Sequence, residues 1–166
     1  MGFLTRLPIR RLSNGRYEIN LQDSEREVIG HYLEQLRELL MGTDDSLRRL
    51  FPVAYLNDPQ LDAEYQKMMH GELLESRFAS IEVMEGTLQA KTVDEAELTK
   101  WMQAINSLRL VIGTRLDVSE TPIDIEPDDP NEMFYVLYDA LGELVALIVL
   151  ALTPDLPPPS AQGPGE

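Results

Sequence analysis

Four stretches of the chain carry apolar residues at every third or fourth position, and this spacing constrains the fold more than any other feature. Such spacing places the side chains on one face of an α-helix, where they can pack against a neighbouring element. The most regular stretch has its stripe at Leu98, Trp101, Ile105, Leu108 and Ile112. Comparable stripes occur within residues 24–41, 58–88 and 131–152. We therefore expect a mostly α-helical protein.

Local signals mark the ends of these predicted helices. Ser24 and Thr92 each precede a glutamate by three residues, which is the spacing of a capping box at a helix start. Pro59 suits the first position of the second helix, and Pro130 immediately precedes the fourth. The apolar stripe of the second helix changes phase near Gly71, which predicts a kink or a break there.

Residues 6–21 have a two-residue periodicity that is typical of a β-hairpin. Asn14-Gly15 can adopt the positive φ angles of a tight turn, and Tyr17 and Ile19 alternate with polar residues after it. A lone hairpin is only marginally stable in water, so this one is expected to pack on the helices.

Together these elements predict one domain over residues 1–152, a bundle of four to five helices with a leading hairpin. The fifth helix would be a short one at 46–50. An acidic, proline-containing loop is expected at 117–130. The tail, residues 153–166, is rich in Pro, Gly and Ser and is predicted to be disordered.

Charge and composition exclude several classes of function. The chain has 29 acidic and 14 basic residues, and a net charge of −15 disfavours contact with nucleic acids and anionic membranes. It has no cysteine, which excludes disulfides, thiolate nucleophiles and zinc–cysteine sites. Nucleophile-elbow and phosphate-loop motifs are missing as well. We therefore expect a protein without enzymatic activity and without a cofactor.

Targeting signals are also not evident. The first residues lack the apolar stretch and cleavage site of a signal peptide, so a cytoplasmic location is expected. The longest apolar run, at 140–152, is interrupted by Gly142 and Glu143 and is shorter than the about 20 residues that span a bilayer. Because its second half is apolar on every side, this helix is expected to be central in the fold or to form a homodimer interface through residues 131–152.

His31 is the one candidate for a metal ligand. Glu27 and Glu34 lie one helical turn on either side of it, and Glu38 extends the same face. Helical metal sites draw such ligands from several helices, and the chain has only two histidines. A solvent-exposed acidic face explains the pattern better, so no metal is expected; a metal-binding or enzymatic protein remains an alternative.

Arginines lie near the expected edges of the core. Arg48, Arg49, Arg77, Arg109 and Arg115 are examples, and such residues usually pair with a carboxylate. The functional alternative is an anion pocket built from several of them. Arg109 and Arg115 are six positions apart, about 240° around a helix, so they do not share a face.

The hairpin is the basic exception in an acidic chain. Four arginines and no acid lie within residues 1–17, among them Arg10 and Arg11. Such a ribbon could contact DNA phosphates, which would make the chain a transcription regulator. Since the remaining chain is acidic and no helix has a basic face, contact with an acidic protein, with the chain's own acidic surface or with a second subunit is favoured over DNA.

Three segments resemble an actinobacterial family of unknown function whose members usually lie beside the gene for ClpS, the adaptor of the Clp protease. The segments are 47–55 (Leu-Arg-Arg-Leu-Phe-Pro-Val-Ala-Tyr), 104–116 (Ala-Ile-Asn-Ser-Leu-Arg-Leu-Val-Ile-Gly-Thr-Arg-Leu) and 138–144. Some members are described as oxidative-stress-responsive transcription regulators, a role tied to a cysteine pair that this chain lacks. The resemblance implies a regulatory or adaptor role, and it draws attention to Asn106 as well as to the arginines.

The sequence thus favours a regulatory or adaptor protein that acts through protein–protein contacts. The residues expected to contribute to binding are Arg10, Arg11, Arg48, Arg49, Asn106, Arg109 and Arg115.

Overall fold

The computed structural model describes residues 7–42, 58–116 and 131–153, without the side chains of residues 62 and 66–70. Its elements, in chain order, are β1 (Ile9–Arg11), β2 (Tyr17–Ile19), α1 (Asp23–Leu40), α2 (Pro59–Thr87), β3 (Thr92–Val93), α3 (Glu95–Arg115) and α4 (Glu132–Leu152). This confirms the predicted mostly α fold with an N-terminal hairpin. The predicted helix at 46–50, the loop at 117–130 and the tail beyond residue 153 lie outside the described residues.

The hairpin forms as predicted, and it is extended by a third strand. β1 and β2 pair antiparallel with Ile9 opposite Ile19, and Gly15 in the turn has a φ of 82°. β3 then pairs with β2, with Val93 opposite Tyr17. β3 thereby extends the hairpin to a three-stranded sheet, which the sequence analysis did not predict.

The predicted N-caps of two helices were each wrong by two residues. The carboxylate of Glu25 accepts a hydrogen bond from the Gln22 backbone N–H at 2.9 Å, so α1 is capped at Gln22 and not at Ser24. Thr92 belongs to β3, and the capping box of α3 is formed by Asp94 and Glu97. In both cases a second pair of residues with the same spacing satisfied the free N–H groups of the first turn.

α3 is the central helix, since it packs against α2 on one side and α4 on the other. Trp101 is fully buried, and its Nε1–H donates to Thr87 Oγ1 at 2.7 Å. The fully buried side chains that surround it come from all four helices: Ile29, Leu33, Leu36, Ile81, Met84, Leu98, Ile105, Leu141, Leu144 and Ile148. α2 continues through Gly71 without the break that the phase change had suggested.

α4 has one buried and one exposed face. Leu137, Leu141, Leu144 and Ile148 are buried, whereas Leu150 is 70% exposed. By length and composition α4 could also cross a membrane, and it is the one helix of the described ranges that meets this criterion. This is weak evidence, because a core helix of a soluble protein meets the same criterion, and one face of α4 does pack on α3.

Candidate functional site

The most completely bonded polar side chain is one that the sequence analysis did not single out. Arg26, on α1, is 6% exposed and donates hydrogen bonds to four backbone carbonyl groups at 2.5 to 3.0 Å. The four acceptors belong to Ile19, Leu21, Leu88 and Ala90. These bonds join the hairpin, the start of α1 and the connection between α2 and α3. Arg26 is therefore a structural residue.

The two hairpin arginines do not form one patch. Arg10 pairs across the strands with Glu18 at 2.5 Å, so much of its charge is neutralised. Arg11 is exposed and lies opposite Tyr17, on the other face of the ribbon. The charge available to an anionic partner is smaller than the composition of residues 1–17 suggested.

The arginines of α3 diverge, as their spacing predicted. Arg109 faces α4, where its guanidinium carbon lies 4.2 Å from the centre of the Tyr138 ring. Arg115 faces α1 and contributes to a small cavity there. Arg48 and Arg49 lie outside the described residues.

The expected ion pairs are missing at two of the arginines near the core edge. Neither Arg109 nor Arg77 pairs with a carboxylate within the described ranges. Arg77 donates from Nη1 to Ser107 Oγ at 3.0 Å, and burial lowers the pKa of its guanidinium. The expectation that these arginines form structural ion pairs is therefore wrong for both.

An open concavity lies between α1 and α4, and we name it the α1–α4 groove. It has a volume of about 480 Å³ and is lined by Glu27, Val28, His31, Tyr32, Met133, Val136 and Leu137. Three of the apolar side chains in it are well exposed, Val28 at 38%, Val136 at 46% and Met133 at 70%. Apolar side chains that line a concave surface are typical of a binding site.

Tyr32 also lines a second, smaller cavity of about 160 Å³. Leu108, Val111 and Ile112 of α3 line this cavity, and Phe134 of α4 lies edge-on to Tyr32 at 6.2 Å between ring centres. Its polar groups are Gln35, Arg115 and Asn131. Tyr32 is thus common to both concavities.

Glu27 lines the groove itself, and helical spacing places further carboxylates beside the groove-lining residues of α1 and α4; we call these two rows the acidic rims. They are formed by Glu27, Glu34 and Glu38 on α1 and by Glu132, Asp139 and Glu143 on α4, all of them exposed. None of the six forms an ion pair with another described residue. The rims therefore carry negative charge that is available to a partner.

His31 lies in this groove and not in a metal centre. Its Nε2 is 3.0 Å from the amide nitrogen of Gln35, which can donate to it when Nε2 is unprotonated. Across the residues that the structure describes, no three His, Asp or Glu side chains converge to hold a metal ion.

The sequence analysis missed the groove because its walls come from two helices that are distant in sequence. Val28 and Val136 were each at the border of an apolar stripe, and nothing in either stripe showed that the two borders face each other. The spacing of the acidic residues on α1 was noted, but as a solvated face.

Comparison with known proteins gives one result. The model of a family described as a domain of unknown function (DUF2017) matches residues 7–152. No curated protein and no solved structure matches the chain.

Proposed function

The chain belongs to this family of unknown function, and we propose that it is a soluble, non-enzymatic adaptor or regulator that holds another protein in the α1–α4 groove. The observation that carries the proposal is the groove itself, with exposed apolar side chains between two acidic rims. A surface of this kind loses apolar area from water only when a partner covers it.

The chemistry of the groove indicates a cationic amphipathic helix as the occupant. Such a helix lays an apolar face into a hydrophobic groove through side chains one turn apart. Its flanking Lys or Arg residues would then meet the acidic rims on either side. Complementary charge of this kind speeds association and selects among apolar partners.

The regulatory part of the proposal rests on the resemblance to the actinobacterial family encoded beside the ClpS gene. A cytoplasmic adaptor role is compatible with a gene position beside that of the ClpS adaptor. The cysteine-based sensing described for some members has no counterpart here, because the chain has no cysteine.

DNA contact through the hairpin has less support. Arg10 is neutralised by Glu18, and Arg16 donates from Nε to Thr92 Oγ1 at 3.1 Å and is held against β3. A DNA-binding ribbon keeps its cations free for phosphates.

The proposal is tested with a labelled synthetic helix whose leucines recur every three or four residues on one face, with lysines on the other face, and with its glutamate counterpart. We expect the lysine peptide to bind the whole protein in a fluorescence-anisotropy titration, with an affinity that falls as salt rises. The Val136→Asp variant places a carboxylate in the groove and should weaken binding at least tenfold.

Leu150→Asp is the matched control, because Leu150 lies on the same helix, is equally apolar and does not line the groove. It should leave peptide binding unchanged. Equal affinity of Val136→Asp and the wild type, or stronger binding of the glutamate peptide, would contradict the proposal. A homodimer through residues 131–152 remains a prediction, and sedimentation of the same two variants shows whether either substitution changes the mass in solution.

A further inference from the structure

Arg109 holds its guanidinium in a fixed position without giving it an acceptor. The group stacks on the Tyr138 ring at 4.2 Å, and its other neighbour is Gly142, also on α4. Within the described part of the chain it donates no hydrogen bond and forms no ion pair. The Nε atom is fully buried and has no acceptor.

This arrangement is unusual for a chain with 29 acidic residues. A guanidinium has five N–H donors, and a buried donor without an acceptor costs about 1–3 kcal/mol. Asp139 and Glu143 are sequence neighbours of Tyr138 and Gly142, yet neither comes within ion-pair distance of Arg109. Unlike Nε, the terminal nitrogens are not fully buried.

A second unused donor lies one turn away. Asn106 precedes Arg109 by three positions on α3, which places their Cβ atoms about 5–6 Å apart on the same side of the helix. Its side-chain amide is half-buried and has no hydrogen-bond partner within the described residues. The edge of α3 therefore presents donors from two side chains and no acceptor that neutralises them.

We propose that Arg109 and Asn106 bind an oxyanion group, a phosphate or a carboxylate, at the α3–α4 edge. The planar fork of the guanidinium matches two oxygens of such a group, and the Asn106 amide supplies a further donor. Arg109 does not line the α1–α4 groove, so this site is distinct from the groove.

The absence of a side chain at Gly142 leaves space for the Arg109 guanidinium. A Cβ atom at this position would lie 2.8 Å from Arg109 Nε and 3.1 Å from its central carbon, which is too close for the present position of the guanidinium. The glycine thus leaves room for the guanidinium to stack on the Tyr138 ring before a ligand arrives. A donor that is already immobilised loses less conformational entropy on binding.

The experiment compares inorganic phosphate, acetate and chloride at matched ionic strength. Thermal unfolding of the full chain gives the change in midpoint, and line broadening of the phosphate ³¹P signal reports binding directly. We expect phosphate or acetate to raise the midpoint in a saturable way relative to chloride. The anion with the larger shift identifies the preferred oxyanion.

Four variants locate the effect. Arg109→Gln and Gly142→Ala should each remove the anion-dependent shift, and Asn106→Ala should weaken anion affinity several-fold. Arg37→Gln is the matched control, because the Arg37 guanidinium is already paired with Glu85 at 2.8 Å, and it should retain the full shift. Since Gly142→Ala keeps the charge of Arg109, it separates a positioned fork from simple attraction of anions.

The proposal is overturned if neither anion binds more strongly than chloride, or if Arg109→Gln and Arg37→Gln respond alike. The second outcome would show that anions screen the surface without occupying this site. Failure here leaves the peptide titration of the groove untouched, because the two sites share no residue.

Discussion

Arg26 and Arg109 both lie at the edge of the hydrophobic core, yet their guanidinium groups differ in hydrogen bonding. Arg26 donates to four backbone carbonyls, whereas Arg109 donates to none of the described residues. The same contrast extends to the surroundings. The junction around Arg26 joins three segments through these bonds, while the outer side of α4 leaves apolar side chains exposed and the α3–α4 edge leaves donors without described partners.

The comparison separates the part of the molecule that is built for stability from the part that is available for binding. A network in which every buried polar group is bonded rigidifies a fold, and a single missing partner in it is costly. Unsatisfied groups near a solvent-exposed helix are tolerated at a smaller cost, which a ligand can recover. We therefore expect substitutions at the junction to affect stability and substitutions along α4 to affect binding.

The largest loss of stability should come from a substitution in the junction around Arg26. Arg26→Met keeps much of the side-chain volume but leaves four carbonyl groups without their donors, and it should lower the free energy of unfolding by about 4 kcal/mol. Urea unfolding measures this change. Arg37→Met is the control, since its exposed ion pair should contribute no more than about 1 kcal/mol; similar losses in the two variants would contradict the comparison.

The second largest difference in stability is expected between substitutions on the buried face of α4 and those on its exposed face. Ile148 is fully buried, and truncation in Ile148→Ala should cost about 3 kcal/mol through lost burial and the cavity left behind. Leu150→Ala should change stability by less than about 0.5 kcal/mol, because that side chain is 70% exposed. A large loss in Leu150→Ala would show that this face is covered in solution, as a homodimer would require.

The smallest effect on stability is expected at Gly142. Alanine is favoured over glycine within a helix by about 1 kcal/mol, but here it must displace Arg109 from the Tyr138 ring, a contact of similar size. We expect Gly142→Ala to change the unfolding free energy by less than about 1 kcal/mol.

Gly71→Ala is the control for that substitution, because nothing lies within 4 Å of the added methyl group. It should stabilise the protein by about 0.5–1 kcal/mol. If Gly142→Ala stabilises the protein by as much, Arg109 is not held by the contact that the anion site requires.

The sequence predicted the elements of this fold far better than it predicted the contacts between them. The helical stripes and the Asn14-Gly15 turn are local signals, and the structure confirms them. β3 is only two residues long and is defined by its pairing with β2, which is distant in sequence, so no local pattern could predict it. Arg26 was missed for a related reason, since its acceptors are carbonyl groups of Leu88 and Ala90, more than 60 positions away.

The candidate sites show the same limit. Arg109 and Asn106 were selected from the sequence, but the usual pairing of arginine with carboxylate led to the wrong expectation for Arg109. What distinguishes it is the glycine on another helix that makes room for it. The groove depends on the relative position of α1 and α4, which the apolar stripes of the separate helices do not determine.

The pairing of β2 with β3 has a consequence for how the chain is made. The contact between Arg16 and Thr92 spans 76 positions, so the outer edge of β2 has no strand to pair with until the whole of α2 has left the ribosome. An uncovered strand edge is a place where two nascent chains can associate. Arg11 and Arg16, which have no carboxylate partner among the described residues, would keep such chains apart during that interval through like-charge repulsion.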